Sequence, residues 1–197
     1  YFFVLNPDIQ KINDKLINIF YDSAKELNDN FGALGPRFEN VSEKSHKQSN
    51  INEKYGQIES ISGSAMFFKT DVFDYNNGFD ENFFLYFEET DYCRRSNRNG
   101  FRNYQINNLF VLHDIGTSVE IENEIEKNKL KELCLWHFIW SKYYFSTKVR
   151  GHLLSKIFFS PIILKILFRI FIYSLMNRQD KKRKYKIRLD ALIHSIK

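Results

Sequence analysis

Gly78-Phe-Asp-Glu-Asn-Phe-Phe-Leu-Tyr-Phe-Glu-Glu-Thr-Asp-Tyr-Cys-Arg-Arg95 is the stretch on which the reading of the fold turns. It opens as a turn, Gly78 to Asn82, and closes as the beginning of a helix expected over residues 88–99. Glu88, Glu89 and Asp91 fall in the first turn of that helix and basic residues follow later, which suits the helix dipole. Gly100 supplies the stop signal. The same acids admit a chemical role. Adjacent carboxylates in a pocket raise one another's pKa, and a raised carboxylate serves as a general base. Phe83, Phe84, Tyr86, Phe87 and Tyr92 flank the acids on both sides and would dry such a site.

Outward from this stretch, short apolar runs alternate with helical patterns. Residues 1–5 read as a buried strand closed by the turn Asn6-Pro7-Asp8. Ile9, Ile12, Leu16, Ile19 and Phe20 recur at helical spacing, so residues 9–28 are expected to form an amphipathic helix. Residues 32–57 look loop-rich, with a surface loop over 40–55. Residues 58–68 are expected to form a strand, with a short helix or turn from Asp71 and two strands at 101–106 and 109–113. From Glu120 onward the patterns become long helices, 124–144 and 153–176, the second interrupted by Pro161. Two domains are therefore expected, residues 1–120 and 121–197.

Composition narrows the class. The chain has 197 residues, 43% hydrophobic and 17% aromatic, enough for a packed core. Its net charge of +5 is unevenly spread. Residues 1–130 hold 14 Lys/Arg against 21 Asp/Glu, net −7; residues 131–197 hold 15 against 3, net +12. A strongly basic tail on an acidic body points to an anionic partner, membrane lipid or nucleic acid. No nucleic-acid motif is present and the tail is apolar between its basic residues, which argues against nucleic acid. Cys93 and Cys134 form neither a disulfide framework nor a metal-type pair, and read as reduced packing residues of a cytoplasmic protein.

Two further positions invite chemistry. Asp8 ends a core strand, where open α/β sheets bind ligands, and an Asp there can hold a divalent cation. The competing reading is a plain turn with Asp8 capping the next helix. His113 follows the apolar run 109–112, as a metal ligand or as a structural strand-end histidine.

Taken in order, the pieces form a pattern. Asn6-Pro7-Asp8 is followed by Gly63-x-x-Met66, Gly78-Phe-Asp-Glu-x-x-Phe84, Tyr86-x-Glu-Glu-x-Asp-x-x-x-Arg95, Gly100 and Val111-x-His113. This resembles the inverting family 2 glycosyltransferases of the GT-A fold, in particular their rhamnosyltransferase-like branch, over residues 1 to about 120. The resemblance implies an α/β fold of that Rossmann-like, mixed-sheet type, carrying only the C-terminal portion of the domain, with a helical basic tail. It implies a metal site for Mg²⁺ or Mn²⁺ on the diphosphate, with Asp8 and His113 as ligands and Asn6 in place of the usual first Asp. It implies Glu89 as general base, Glu88 as its acidic partner, and Asp91 and Arg95 in support, as an ion pair one helical turn apart. Gly63, Gly78 and Asp80 would shape the acceptor side.

The implied activity is transfer of a sugar from a nucleotide-sugar donor to a glycan or lipid-linked acceptor, in bacterial cell-surface polysaccharide synthesis. Because the chain opens inside an apolar strand, Tyr1-Phe-Phe-Val-Leu5, the nucleotide-binding strands are expected upstream, and this portion alone is expected to lack activity. The alternative is a truncated, non-catalytic remnant or partner subunit. The apolar stretch 153–176 and the basic run 181–188 together are expected to lie on an anionic membrane surface, at the inner face of the plasma membrane. The alternative for this tail is a helical appendage packed on the catalytic domain.

Overall fold

The structure, a computed structural model, describes residues 1–12, 14–40, 48–50, 52–114 and 121–196. Half of the expected surface loop over 40–55, residues 41–47 and 51, therefore lies outside the described residues. Among those described, six strands and six helices make a mixed α/β protein with one mixed sheet. They form two compact units: Tyr1–Asp80 with Glu88–Glu120, and Glu81–Phe87 with Ile121–Lys197.

The first unit contains β1 (Phe2–Leu5), β2 (Ile9–Gln10), α1 (Asp14–Glu26), β3 (Leu34–Phe38), β4 (Tyr55–Ile58), β5 (Ala65–Phe68), α2 (Thr70–Tyr75), α3 (Glu88–Arg98) and β6 (Asn103–His113). The strand order is β1-β5-β3-β6-β2, and β4 also pairs with β6. Strand β3 runs parallel to β6 and antiparallel to β5, which in turn runs antiparallel to β1. The carboxyl ends of β1, β3 and β6 therefore share one edge of the sheet.

Aromatic side chains build the core on both faces of the sheet. Along β5, successive side chains point to opposite faces. Phe67 stacks with Phe20 of α1 at 5.3 Å, in a cluster with Leu16, Ala24, Leu34 and Val111. Phe68 meets Phe2, Phe73 and Tyr92 at 5.0–5.2 Å, in a cluster with Met66 and Cys93. Helix α1 thus covers one face while α2 and α3 cover the other. Burying each such ring contributes roughly 1.5–3 kcal/mol. Cys93 and Cys134 are free thiols, and burial raises the Cys93 thiol to about 12.

Several elements differ from the sequence expectation. Ile9 belongs to β2, opposite His113, and not to a helix. Lys11 takes a left-handed backbone (φ 69°) that separates β2 from α1. The segment 58–68 is not one strand: β4 and β5 are separated by residues 59–64. The loop-rich stretch conceals β3. Its Pro36 sits where the register on β6 breaks, between Pro36↔Ile106 and Arg37↔Phe110, a position that tolerates a missing N–H. The two strands expected at 101–106 and 109–113 are the single strand β6. Asn107 does not end it, because its amide donates to the carbonyls of Asn50 (2.7 Å) and Glu53 (2.9 Å) and accepts from Ser49 Oγ (2.8 Å).

The second unit is a helical trio, α4 (Glu124–Arg150), α5 (His152–Leu175) and α6 (Gln179–Ile196), with residues 81–87 laid along α4. Asn123 caps α4 by accepting from Ile125 N–H at 2.8 Å. Helix α4 runs past the expected end at Tyr144 until Gly151, whose φ of 83° lets the chain turn into α5. Pro161 does not interrupt α5. Phe159, Ile162, Ile163 and Ile166 around it pack with Tyr143 of α4 and Leu189 and Leu192 of α6, and this packing outweighs the lost backbone bond.

Candidate active site

The carboxyl edge of the sheet gathers most of the residues singled out from the sequence. Asp8 follows β1, and the β2–β6 register sets Ile9 opposite His113. His113 Nε2 lies 3.4 Å from Asp8 Oδ1, and both side chains are buried. The backbone holds this pair: Asp114 N–H donates to the Asp8 carbonyl at 3.0 Å. Asn40 grips His113 from the other side, accepting from its N–H at 2.9 Å and donating to its carbonyl at 3.1 Å. Sequence reading missed Asn40. A lone Asn after an unrecognised strand carries no signal of its own.

Asn6 is exposed, and its own carbonyl accepts from Ile9 N–H at 3.2 Å to close the turn. Its N–H donates to the Ser64 carbonyl at 2.9 Å. That bond ties the Asp8 turn to the loop before β5. The same loop docks on the first two turns of α3 through Ser60 Oγ to Thr90 Oγ1 (3.4 Å) and Ile61 N–H to Cys93 Sγ (3.5 Å). Gly63 lies against Glu89: a Cβ there would sit 3.4 Å from Glu89 Cγ and 3.7 Å from Cδ.

Glu89 is partly buried, and Thr90 Oγ1 donates to its Oε1 at 3.1 Å. Burial, with the neighbouring Glu88 carboxylate, raises it from an ordinary 4.5 to about 7. Burial also raises Glu88. Its Oε2 is buried with no hydrogen-bond partner among the described residues. Two adjacent carboxyls of raised pKa, one near neutrality, are suited to proton transfer. Tyr86 and Phe87, immediately before them, both have left-handed backbones (φ 67° and 74°). Bulky residues rarely adopt that conformation, and such strain concentrates at functional sites.

Asp91 and Arg95 pair one helical turn apart, Nε to Oδ2 at 2.8 Å, with the Asp91 side chain 1% exposed. The guanidinium continues to the Gly78 carbonyl at 2.6 Å and to the Asn76 carbonyl. Arg95 thus fastens the Gly78 turn to α3. Gly78 itself has φ 53°, and a Cβ there would lie 3.0 Å from the Phe73 ring. Gly78→Ala is expected to cost about 1–2 kcal/mol of stability in urea unfolding. A change within a few tenths of that scale's zero would show that the turn is not constrained. Asp80 is partly buried in the same turn.

The aromatic residues between the turn and α3 find their partners on one helix. Phe83 packs on Tyr144, Tyr86 and Phe87 on Phe138, and Phe84 on His137, while Ser141 Oγ donates to the Leu85 carbonyl at 2.7 Å. Their partners belong to α4. Tyr92 turns into the sheet core and donates to the Gly32 carbonyl at 2.9 Å. The decisive stretch is therefore shared between the two units, with Glu81–Phe87 in the helical one.

Among the described residues no group of three or more His, Cys, Asp or Glu side chains is placed to hold a metal. Asp8 and His113 supply two donors, an oxygen and a nitrogen. Adjacent ligands of an octahedral ion at about 2.1 Å lie about 3 Å apart, so a separation of 3.4 Å fits with small adjustment. No family model matches the chain, and neither a curated protein nor a solved structure resembles it significantly.

Proposed function

We propose that this chain carries the acceptor and metal side of an inverting, nucleotide-sugar-dependent glycosyltransferase of GT-A type. Its product would be a glycan or lipid-linked saccharide of the bacterial cell surface. One observation carries the reading: the Asp8–His113 pair and Glu89 against Gly63 belong to the same edge of one sheet, joined by the Asn6–Ser64 hydrogen bond.

In the proposed reaction Glu89 takes the proton of an acceptor hydroxyl as its oxygen attacks the anomeric carbon. The bond from that carbon to the diphosphate oxygen breaks on the opposite face, its electron pair leaves with the nucleoside diphosphate, and the anomeric centre inverts. Burial, and then the Glu88 carboxylate beside it, keep the proton affinity of Glu89 high. Arg95 and Asp91 hold the first turn of α3, and with it Glu89, in place. Asp8 and His113 would hold Mg²⁺ or Mn²⁺, which when bound neutralises the growing charge on the leaving diphosphate. An imidazole in the pair favours Mn²⁺ over the harder Mg²⁺.

The test separates metal from base. Binding of nucleoside diphosphates to the natural protein is measured by calorimetry with and without Mn²⁺. Asp8→Asn and His113→Ala are each expected to weaken Mn²⁺-dependent binding by at least about tenfold. Binding that needs no divalent ion, or that ignores both substitutions, removes the metal assignment.

A further inference from the structure

We propose that α5 lies in the plane of an anionic lipid bilayer, inserting one exposed apolar stripe as a monotopic anchor. The stripe is Leu153, Ile157, Leu164, Phe168, Phe171 and Leu175, spaced by three, four or seven residues along a single helical face. These side chains stay largely open to solvent, with Leu153 at 72%, Leu164 at 67% and Leu175 at 70% exposure. An exposed apolar stripe of this length marks an interaction surface.

The charges identify the occupant. Helix α5 contains no Asp or Glu, while its three basic residues, Lys156, Lys165 and Arg169, are exposed beside the stripe. At 3.6 residues per turn, Lys156 falls on one flank, Lys165 and Arg169 on the other. Basic residues flanking an apolar stripe reach anionic headgroups while the stripe enters the acyl boundary. Helix α6 adds six Lys/Arg over residues 181–188. A second copy of this chain would bring the same basic flanks together and repel.

By length and composition α5 is apolar enough to cross a membrane. Its other face decides against that. Phe159, Ile162, Ile163, Ile166 and Ile170 pack on α4 and α6. A spanning α5 would strip away this packing or draw the basic run of α6 into hydrocarbon, and charges at the bilayer centre are strongly disfavoured. Lying in the plane keeps the packed face in the protein and commits only the open stripe to lipid.

Membrane docking stands apart from the transfer chemistry: its readouts involve neither donor nor acceptor. The whole chain is sedimented at low salt with vesicles of phosphatidylcholine, with or without phosphatidylglycerol. Binding is expected to vesicles containing phosphatidylglycerol and to be much weaker without it. Lys165→Gln with Arg169→Gln is expected to weaken binding about 30-fold, at about fivefold per basic residue that meets the surface. Leu164→Glu with Phe168→Glu is expected to abolish it without loss of helix content, because both positions are exposed. Nitroxide labels at Ile157→Cys, Leu164→Cys and Phe171→Cys, in a Cys134→Ser background, are expected to report one common depth. A depth that passes through the bilayer centre along the helix would establish spanning and overturn the proposal. Binding equal on neutral vesicles, or unchanged by the double Glu variant, would overturn it too. So would self-association without lipid that the double Glu variant abolishes, since a second copy would then cover the stripe.

Discussion

Glu89→Gln is expected to lower sugar transfer by the natural protein by about 10²–10⁴-fold, the usual contribution of a general base, while leaving nucleotide-sugar binding within about twofold. Wild-type kcat/KM is expected to rise with pH, about tenfold per unit, and to level off above about 7, where Glu89 becomes ionised. Full turnover by the Gln variant would remove Glu89 from the mechanism. The same substitution has a stability signature that needs no substrate. Glu89 titrates near 4.5 in the unfolded chain and about 7 in the folded one. Below pH 4.5 its carboxyl is protonated in both states. Between the two values the folded state binds more protons, so stability falls as pH rises. Above pH 7 the charged carboxylate sits in a site that disfavours it. Glu89→Gln is therefore expected to be more stable than wild type at pH 8, by on the order of 1–3 kcal/mol in urea unfolding, and to lose that advantage by pH 4.5. An advantage of equal size at both pH values would refute the raised pKa.

Arg95→Met is expected to be the most destabilising single change near the site. It takes the guanidinium away from the Asp91 carboxylate, 1% exposed, and releases the carbonyls of Gly78 and Asn76. Removing one partner of a buried ion pair costs about 3–5 kcal/mol, a large part of the stability of an ordinary domain. Adding Asp91→Asn to Arg95→Met should recover part of the loss, because the buried carboxylate charge is then removed together with the guanidinium. In the pair's proposed positioning role, Arg95→Lys keeps the charge but loses the fork that reaches two carbonyls. It is expected to retain more stability than Arg95→Met and to shift the pH at which transfer levels off, because the first turn of α3 carrying Glu89 is no longer fastened. A loss below about 1 kcal/mol for Arg95→Met would show that water replaces the guanidinium.

Much of this site is legible without coordinates because its parts are local. Asp91 and Arg95 lie four apart on a helix that the acid-then-base order already announces, and they pair as that spacing predicts. Gly78 at a turn and Glu88-Glu89 at a helix start are likewise short-range patterns. The strands were harder. Gly35-Pro36 falls in the stretch that reads as loop-rich and lies inside β3, because only its neighbour β6, about seventy residues later, shows that the missing N–H falls at a register break. Asn107 and Asn108 read as a gap between strands, and only Ser49, Asn50 and Glu53 show that the Asn107 amide is satisfied. Ile9 fits a helical stripe in sequence, but its place opposite His113 is a long-range pairing.

Sequence alone establishes the mixed α/β class, the order of the helices before α6, the charge contrast between body and tail, and the residues worth suspecting. These follow from periodicity, composition and contacts within one helical turn. Only the fold shows that Gly63 meets Glu89 and that Asn40 fixes His113. It also drew the aromatic residues between Gly78 and Glu88 to α4 and left one stripe of α5 open. The reason is physical. Each of these outcomes depends on which distant residue fills the space beside a side chain, and hydrophobic packing is non-directional. Spacing along the chain specifies which face of an element is apolar but not what covers it.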